Sequence, residues 1–130
     1  DDPQNITVFA DWMTKKGKGV ASKAQKRFFI LTSEKKLYYY ETEECRNLKG
    51  VVDLRQMDNL CRVSQKNTEK FEIPTKDRKW EFSCDSSQDS IKWVNKINEV
   101  SRNPKGVVEK IIAVQIQGQP REEDDYKDND

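Results

Sequence analysis

KKGKGVASKAQKRFFILTSEKKLYYY, residues 15–40, contains two strand-like runs, RFFIL and LYYY, preceded by a loop rich in glycine and lysine. Aromatic and β-branched residues favour strands, and the short polar turn between the runs predicts an antiparallel hairpin. From Lys15 to Arg27 there are six basic residues and no acidic one. The stretch therefore predicts a cationic loop at one end of a sheet, suited to a ligand that carries several negative charges.

Five further strand-like segments lie on either side of the predicted hairpin strands at residues 26–32 and 37–42. They are residues 8–15, 49–54, 60–64, 70–73 and 79–84. The last two alternate apolar and polar side chains across the turn PTKDR, as expected of a hairpin with one buried face. The pattern predicts seven antiparallel strands.

Residues 85–103 change to a helical period with one apolar stripe. The stripe consists of Ile91, Val94, Ile97 and Val100, with Trp93 beside it. Ser86 or Ser87 can cap the helix N-terminus. An open sheet leaves one end uncovered, and a single amphipathic helix can cover it. We therefore expect a mostly β fold: a seven-stranded antiparallel, bent open barrel capped by one C-terminal α-helix.

The chain of 130 residues is long enough for one domain with its own core, which we place at residues 6–103. Residues 104–119 contain the apolar run VVEKIIAVQI and are expected to form a short C-terminal extension, either a helix or a strand. Residues 120–130 are expected to be a disordered acidic tail, because they offer little to bury.

Several functional classes are excluded by composition. The chain has no histidine, which excludes His-based zinc sites and histidine acid–base catalysis. The spacing of Cys45, Cys61 and Cys84 matches no metal or redox motif, and we expect reduced thiols and no cofactor. No signal peptide is visible at the N-terminus. Reduced thiols are typical of an intracellular protein, and the expected location is cytoplasmic.

The motifs, in their order and spacing, resemble a pleckstrin homology (PH) domain over most of the chain. The matching residues are Trp12-Met13-x-Lys15-x-Gly17, Lys26-Arg27-Phe28-Phe29-x-Leu31, Leu37-Tyr38-Tyr39, Lys49-Gly50-x-x-Asp53-Leu54 and Trp93 in the last helix. The resemblance implies a non-catalytic module that binds phosphoinositides and recruits a larger protein from the cytoplasm to membranes reversibly.

Lys15, Arg27 and Tyr39 match the phosphoinositide-binding pattern of that family, and Lys49 stands where a further phosphate-contacting base is common. Gln25 departs from the pattern, which has a base there. The head-group site implied by the resemblance consists of Lys15, Gly17, Lys18, Lys23, Lys26, Arg27, Tyr39 and Lys49. The spacing looks most similar to Arf-exchange-factor and Tec-kinase PH domains, which implies 3-phosphorylated head groups such as that of phosphatidylinositol 3,4,5-trisphosphate.

Two alternatives stay open. The basic turn around Lys76, Arg78 and Lys79 is either an exposed hairpin tip or an added contact with lipid or head group. The domain could instead bind a peptide or a small GTPase, through the last helix, the groove between strand five and that helix, or the extension at 104–119. The basic cluster is too small and too poor in exposed aromatic residues for nucleic acid, which we do not expect as a partner. We expect a monomer.

Overall fold

The structure, a computed structural model, describes residues 6–18 and 23–102. Its elements are β1 Thr7–Lys15, β2 Gln25–Thr32, β3 Lys36–Tyr40, β4 Leu48–Asp53, β5 Arg62–Val63, β6 Lys70–Pro74, β7 Lys79–Ser83 and helix α1 Ser87–Arg102. This confirms the predicted mostly β fold of seven antiparallel strands followed by one helix. The predicted extension at 104–119 and acidic tail at 120–130 lie outside the described residues.

The strands form one sheet in the order β4-β3-β2-β1-β7-β6-β5, and every neighbouring pair is antiparallel. β1 pairs with β2 from Thr7 to Lys15, but with β7 only at Thr14 and Lys15. The end of β1 is thus the point where the first four strands meet the last three. β4 and β5 stand at opposite ends of the order, so the described strands make an open sheet.

One face of this sheet, the inner face, packs against α1. Trp93 and Ile97 of the helix are buried with Phe29 and Phe82 of the strands in a single core cluster. The rings of Phe29 and Phe82 meet edge to face at 5.4 Å, a geometry that aromatic pairs favour. The helix begins as predicted, because the Ser86 hydroxyl accepts a hydrogen bond from the Asp89 amide at 3.1 Å.

The opposite, outer face of the first four strands is also apolar. Its cluster contains Phe28, Ile30, Tyr38, Tyr40 and Leu48, all buried. Side chains alternate along a strand, so neighbouring residues of β2 and β3 enter different clusters. This explains why RFFIL and LYYY do not alternate apolar with polar residues, since both faces of these strands are buried.

Two details of the predicted elements were wrong. Ile91 is 46% exposed, whereas the core side of α1 is formed by Trp93, Val94, Ile97 and Val100. Steps of three residues fall short of a 3.6-residue turn, so a stripe drawn in such steps turns away from the core along the helix. Strand five was predicted at 60–64 but spans only Arg62–Val63.

The shorter β5 has a structural reason. The side-chain amide of Asn98 in α1 hydrogen-bonds both the Cys61 amide, at 2.9 Å, and the Cys61 carbonyl, at 3.0 Å. The backbone at Cys61 is therefore satisfied by the helix and not by a neighbouring strand, so the ladder begins one residue later.

Candidate functional site

Strand alternation and register bring Lys15 and Arg27 onto the same face. Lys15 pairs with Gln25, and Met13 pairs with Arg27, in the β1–β2 ladder. Met13 lies in the inner core cluster, so Lys15, Gln25 and Arg27 belong to the inner face. They lie where β1 ends and β2 begins, at the open end of the sheet. We call this end the mouth and define it by Lys15, Gln25, Arg27, Tyr39, Arg78 and Trp80.

Lys15 lies between two aromatic rings. Its Nζ is 5.0 Å from the centroid of the Tyr39 ring and 5.7 Å from that of the Trp80 ring, and the residue is fully buried. Cation–π contacts of this kind favour a lysine charge by roughly 0.5–2 kcal/mol each. The ammonium is therefore held at the floor of the mouth, in an environment where any further electrostatic partner is poorly screened.

Arg78 contributes a second cation from the β6–β7 turn. Its guanidinium lies 3.6 Å from the centroid of the Trp80 ring, and Nη2 donates a hydrogen bond of 3.4 Å to the Lys16 carbonyl. Trp80 thus contacts both Lys15 and Arg78. From the sequence, Arg78 has two possible interpretations and Trp80 has no predicted part in the site. The spacing Arg-x-Trp, which places Arg78 on the same side as Trp80 if the extended backbone of β7 continues one residue into the turn, is the signal that could have paired them.

Tyr39 and Lys49 lie on the next two strands. Tyr39 pairs with Gly50 and is fully buried, and its phenol ring occupies the space that a side chain at position 50 would need. Glycine is required here by this close approach. Lys49 is the additional residue at the irregularity between Tyr39 and Tyr40 in the β3–β4 register, and it is half-buried.

The remaining predicted site residues are more scattered. Gly17 is buried at the base of the β1–β2 loop, while Lys18 and Lys23 are exposed. Lys26 lies on the outer face, where its Nζ is 5.7 Å from the Trp12 ring centroid. Alternation therefore separates Lys26 from its neighbour Arg27, and the structure does not bring Lys26 to the mouth.

Three acidic side chains around this end of the sheet are engaged with residues outside the mouth. Glu43 accepts a hydrogen bond from the Trp12 indole at 2.8 Å, and Glu41 accepts one from Asn47 at 3.2 Å. Glu81 forms an ion pair with Lys16 at 3.9 Å on the outer side of β7. The cations of the mouth thus face the interior while these three carboxylates point to other partners.

A shallow cavity of about 220 Å³ lies behind the mouth, on the outer side of β1, β6 and β7. We call it the outer groove. Its lining includes Lys16, Lys70, Glu72 and Glu81, and Lys15 at the end of β1 also borders it. The charges of Lys16 and Lys70 are offset by those of Glu72 and Glu81, so apart from Lys15 the groove has no net preference for an anion.

The cysteines do not supply a nucleophile. Burial raises the pKa of the Cys84 thiol to about 12, with Asp89 adding to the effect, and burial also raises the pKa values of Cys45 and Cys61. These thiols stay protonated at neutral pH and are poor nucleophiles. Within residues 6–18 and 23–102, no three His, Cys, Asp or Glu side chains are grouped as ligands for a metal ion.

Comparison with family models decides the classification. The PH domain model matches residues 7–102, about three quarters of the chain. The chain belongs to the PH domain family. PH domains are generally non-catalytic binding modules. No curated protein sequence matches the chain significantly.

Solved structures of PH domains share the fold. The C-terminal PH domain of pleckstrin, in complex with an inositol pentakisphosphate, superposes with a TM-score of 0.67 at 21% identity, over 76% of this chain and 99% of that one. The PH domain of human pleckstrin homology domain-containing family A member 5 gives 0.64 at 17%, over 82% and 85%. The resemblance to the Arf-exchange-factor and Tec-kinase members stays a prediction.

The described residues include no helix with the length and apolar character needed to cross a membrane.

Proposed function

We propose that this PH domain binds the inositol phosphate head group of membrane phosphoinositides at the mouth. The observation that carries the proposal is the convergence of Lys15, Arg27 and Arg78, from β1, β2 and the β6–β7 turn, on one end of the inner face. Phosphates fixed on a ring require cations that approach from different directions. Three separate backbone segments supply them here.

Each cation has a distinct part in this proposal. Arg27, half-buried on the wall, offers a planar fork for two phosphate oxygens, and Lys15 offers a point charge from the floor. A phosphate that reaches Lys15 would offer charge-assisted hydrogen bonds of roughly 1.5–3 kcal/mol, against cation–π contacts of roughly 0.5–2 kcal/mol each. The two energies are of similar size, so the aromatic contacts of Lys15 do not by themselves prevent it from binding a phosphate.

The related structures support this ligand class. Two crystal structures of the pleckstrin C-terminal PH domain contain inositol pentakisphosphates, and both superpose on this chain over about three quarters of its length. Their sequence identity with this chain is 20–21%, which supports a shared fold but not, by itself, a shared ligand. The inference of the same ligand class therefore rests on the cations at the mouth together with the shared fold.

We further propose that this binding recruits a larger signalling or trafficking protein from the cytoplasm to membranes, reversibly. The expected preference is for 3-phosphorylated head groups, such as that of phosphatidylinositol 3,4,5-trisphosphate. Exposed lysines at 18 and 23 add general attraction to an anionic surface, about 1 kcal/mol for each. Lys49, behind Tyr39, is a further phosphate contact in this proposal.

The test compares Arg27→Ala with Lys18→Ala on liposomes of equal net charge, with and without phosphoinositide. We expect Arg27→Ala to abolish the preference for phosphoinositide, because a charge-assisted contact is worth roughly 10–150-fold in affinity. Lys18→Ala should weaken binding to all anionic liposomes, with and without phosphoinositide, by about the same factor. That factor should be smaller than the loss in Arg27→Ala. Equal losses in the two variants would overturn the proposed pocket.

A protein-interaction module remains the second candidate. The exposed Ile91 on α1 favours it, because a large apolar side chain on a helix surface can enter a partner's groove. Amide chemical shifts distinguish the two functions. Changes at Lys15, Arg27 and Lys49 on addition of an inositol phosphate support the lipid function. No change there, with changes along α1 on addition of a peptide or GTPase, supports the other.

A further inference from the structure

Gln25 occupies an unusual place at the mouth. It lies directly opposite Lys15 in the β1–β2 ladder, on the inner face, and it is half-buried. Its side-chain oxygen Oε1 is buried, and no group within residues 6–18 and 23–102 donates a hydrogen bond to it. A buried acceptor that lacks a donor is costly, so this oxygen is prepared to accept a hydrogen bond from a ligand that enters the mouth.

The chemical group of a ligand that would donate a hydrogen bond to Gln25 Oε1 can be inferred from its donor and acceptor properties. Phosphate oxygens are chiefly acceptors at neutral pH, because a phosphate monoester carries between one and two negative charges there. A phosphate beside Oε1 would leave that acceptor unsatisfied and oppose two oxygens. A hydroxyl group both donates and accepts, as does the glutamine amide itself. The amide therefore complements a hydroxyl better than a phosphate.

We propose that Gln25 recognises a free hydroxyl of the inositol ring and so makes the mouth discriminate against a phosphate at that one ring position. This inference rests on the proposed head-group binding and adds a specificity-determining residue to it. The cations at Lys15, Arg27 and Arg78 attract phosphates in general. Gln25 is neutral and lies opposite Lys15. In this proposal it lowers the affinity for a ligand that carries a phosphate at the ring position facing it.

The experiment measures dissociation constants for a soluble inositol tetrakisphosphate and for the trisphosphates that each lack one of its phosphates. The proteins are the full chain and its variants Gln25→Lys, Gln25→Ala and Ala24→Lys. Ala24→Lys is the matched control, because Ala24 is exposed and the variant adds the same charge one residue away. Circular dichroism confirms that each variant is folded.

For the unmodified chain we expect one trisphosphate to bind at least as tightly as the tetrakisphosphate. In Gln25→Lys, the tetrakisphosphate should bind more tightly than that trisphosphate by about tenfold or more, because lysine replaces a neutral contact with a charge-assisted one. Gln25→Ala should weaken that trisphosphate several-fold and the tetrakisphosphate less. Ala24→Lys should tighten all ligands by a similar factor.

Gln25→Lys acting on every ligand by the same factor as Ala24→Lys would overturn the inference, because the effect would then be general charge. So would Gln25→Ala leaving every dissociation constant unchanged. Arg27→Ala, measured in parallel, separates this failure from that of the proposed function. If Arg27→Ala abolishes binding while the Gln25 variants keep all ratios, only the inference fails. If the unmodified chain binds none of the ligands, both fail.

Discussion

Lys15 and Lys16 are adjacent in sequence and carry the same charge, yet they face different regions of the molecule. Lys15 enters the mouth between Tyr39 and Trp80, where it is fully buried. Lys16 lines the outer groove, where it is about half exposed and pairs with Glu81. An exposed ion pair is worth about 0–1 kcal/mol and weakens with salt.

The difference shows that counting bases does not locate an anion site. The mouth gathers cations around aromatic rings, while the outer groove balances Lys16 and Lys70 against Glu72 and Glu81. The same lesson applies to Lys26 and Arg27, which alternation sends to opposite faces. The residues that surround each cation distinguish the mouth from the outer groove. Three substitutions test this difference, in order of decreasing effect on binding.

The largest effect is expected from Lys15→Met, which keeps an apolar chain between the two rings but removes the charge. Loss of a charge-assisted contact should lower the affinity for a soluble inositol polyphosphate by roughly 10–100-fold. Lys16→Met, its matched control in the outer groove, should change affinity by less than about twofold. Isothermal titration calorimetry measures both. Similar losses in the two variants would remove the distinction between the regions.

A smaller effect is expected from Arg78→Ala, which removes the guanidinium stacked on Trp80. We expect a loss of about five- to tenfold in affinity, together with a fall of about 0.5–1 kcal/mol in the free energy of unfolding as the stack is lost. Lys79→Ala is the control, because Lys79 is exposed in the same turn. Urea denaturation and calorimetry measure the two quantities. If Lys79→Ala matched Arg78→Ala in both, Arg78 would be no more than a surface charge.

The smallest effect is expected from Glu81→Gln, which removes one acid from the outer groove. The ion pair with Lys16 is exposed on both sides, so the free energy of unfolding should change by less than about 0.5 kcal/mol. Binding to anionic liposomes should rise no more than about twofold. A rise comparable to the loss in Lys15→Met would show that the outer groove, and not the mouth, dominates attraction to the membrane.

Much of the fold could be predicted from local patterns. The period of two in residues 70–84 and the change to a helical period after Ser86 are properties of short segments, and both were confirmed. Ile91 was misplaced because its position depends on which side of α1 meets the sheet. Strand five was overextended because Asn98, on a distant element, satisfies the backbone of Cys61.

The candidate site could be predicted only in part. Lys15 and Arg27 were placed together by adjacent strands and a resemblance to PH domains. Lys26 was included because nothing in a run of bases reveals which side chains point inward. The stack of Arg78 on Trp80, and their contacts with the end of β1, could not be inferred from a turn more than sixty residues from Lys15.

Composition and neighbouring residues were enough to predict the strand and helix periods, the acid-free basic loop and the absence of histidine chemistry. Which bases share a site depends instead on contacts between distant parts of the folded chain. β1 pairs with β7 at just two positions, Thr14 and Lys15, and that short contact carries Trp80 and Arg78 to Lys15. Long-range strand pairing depends on the packing of the whole core around Trp93, and no local pattern encodes it.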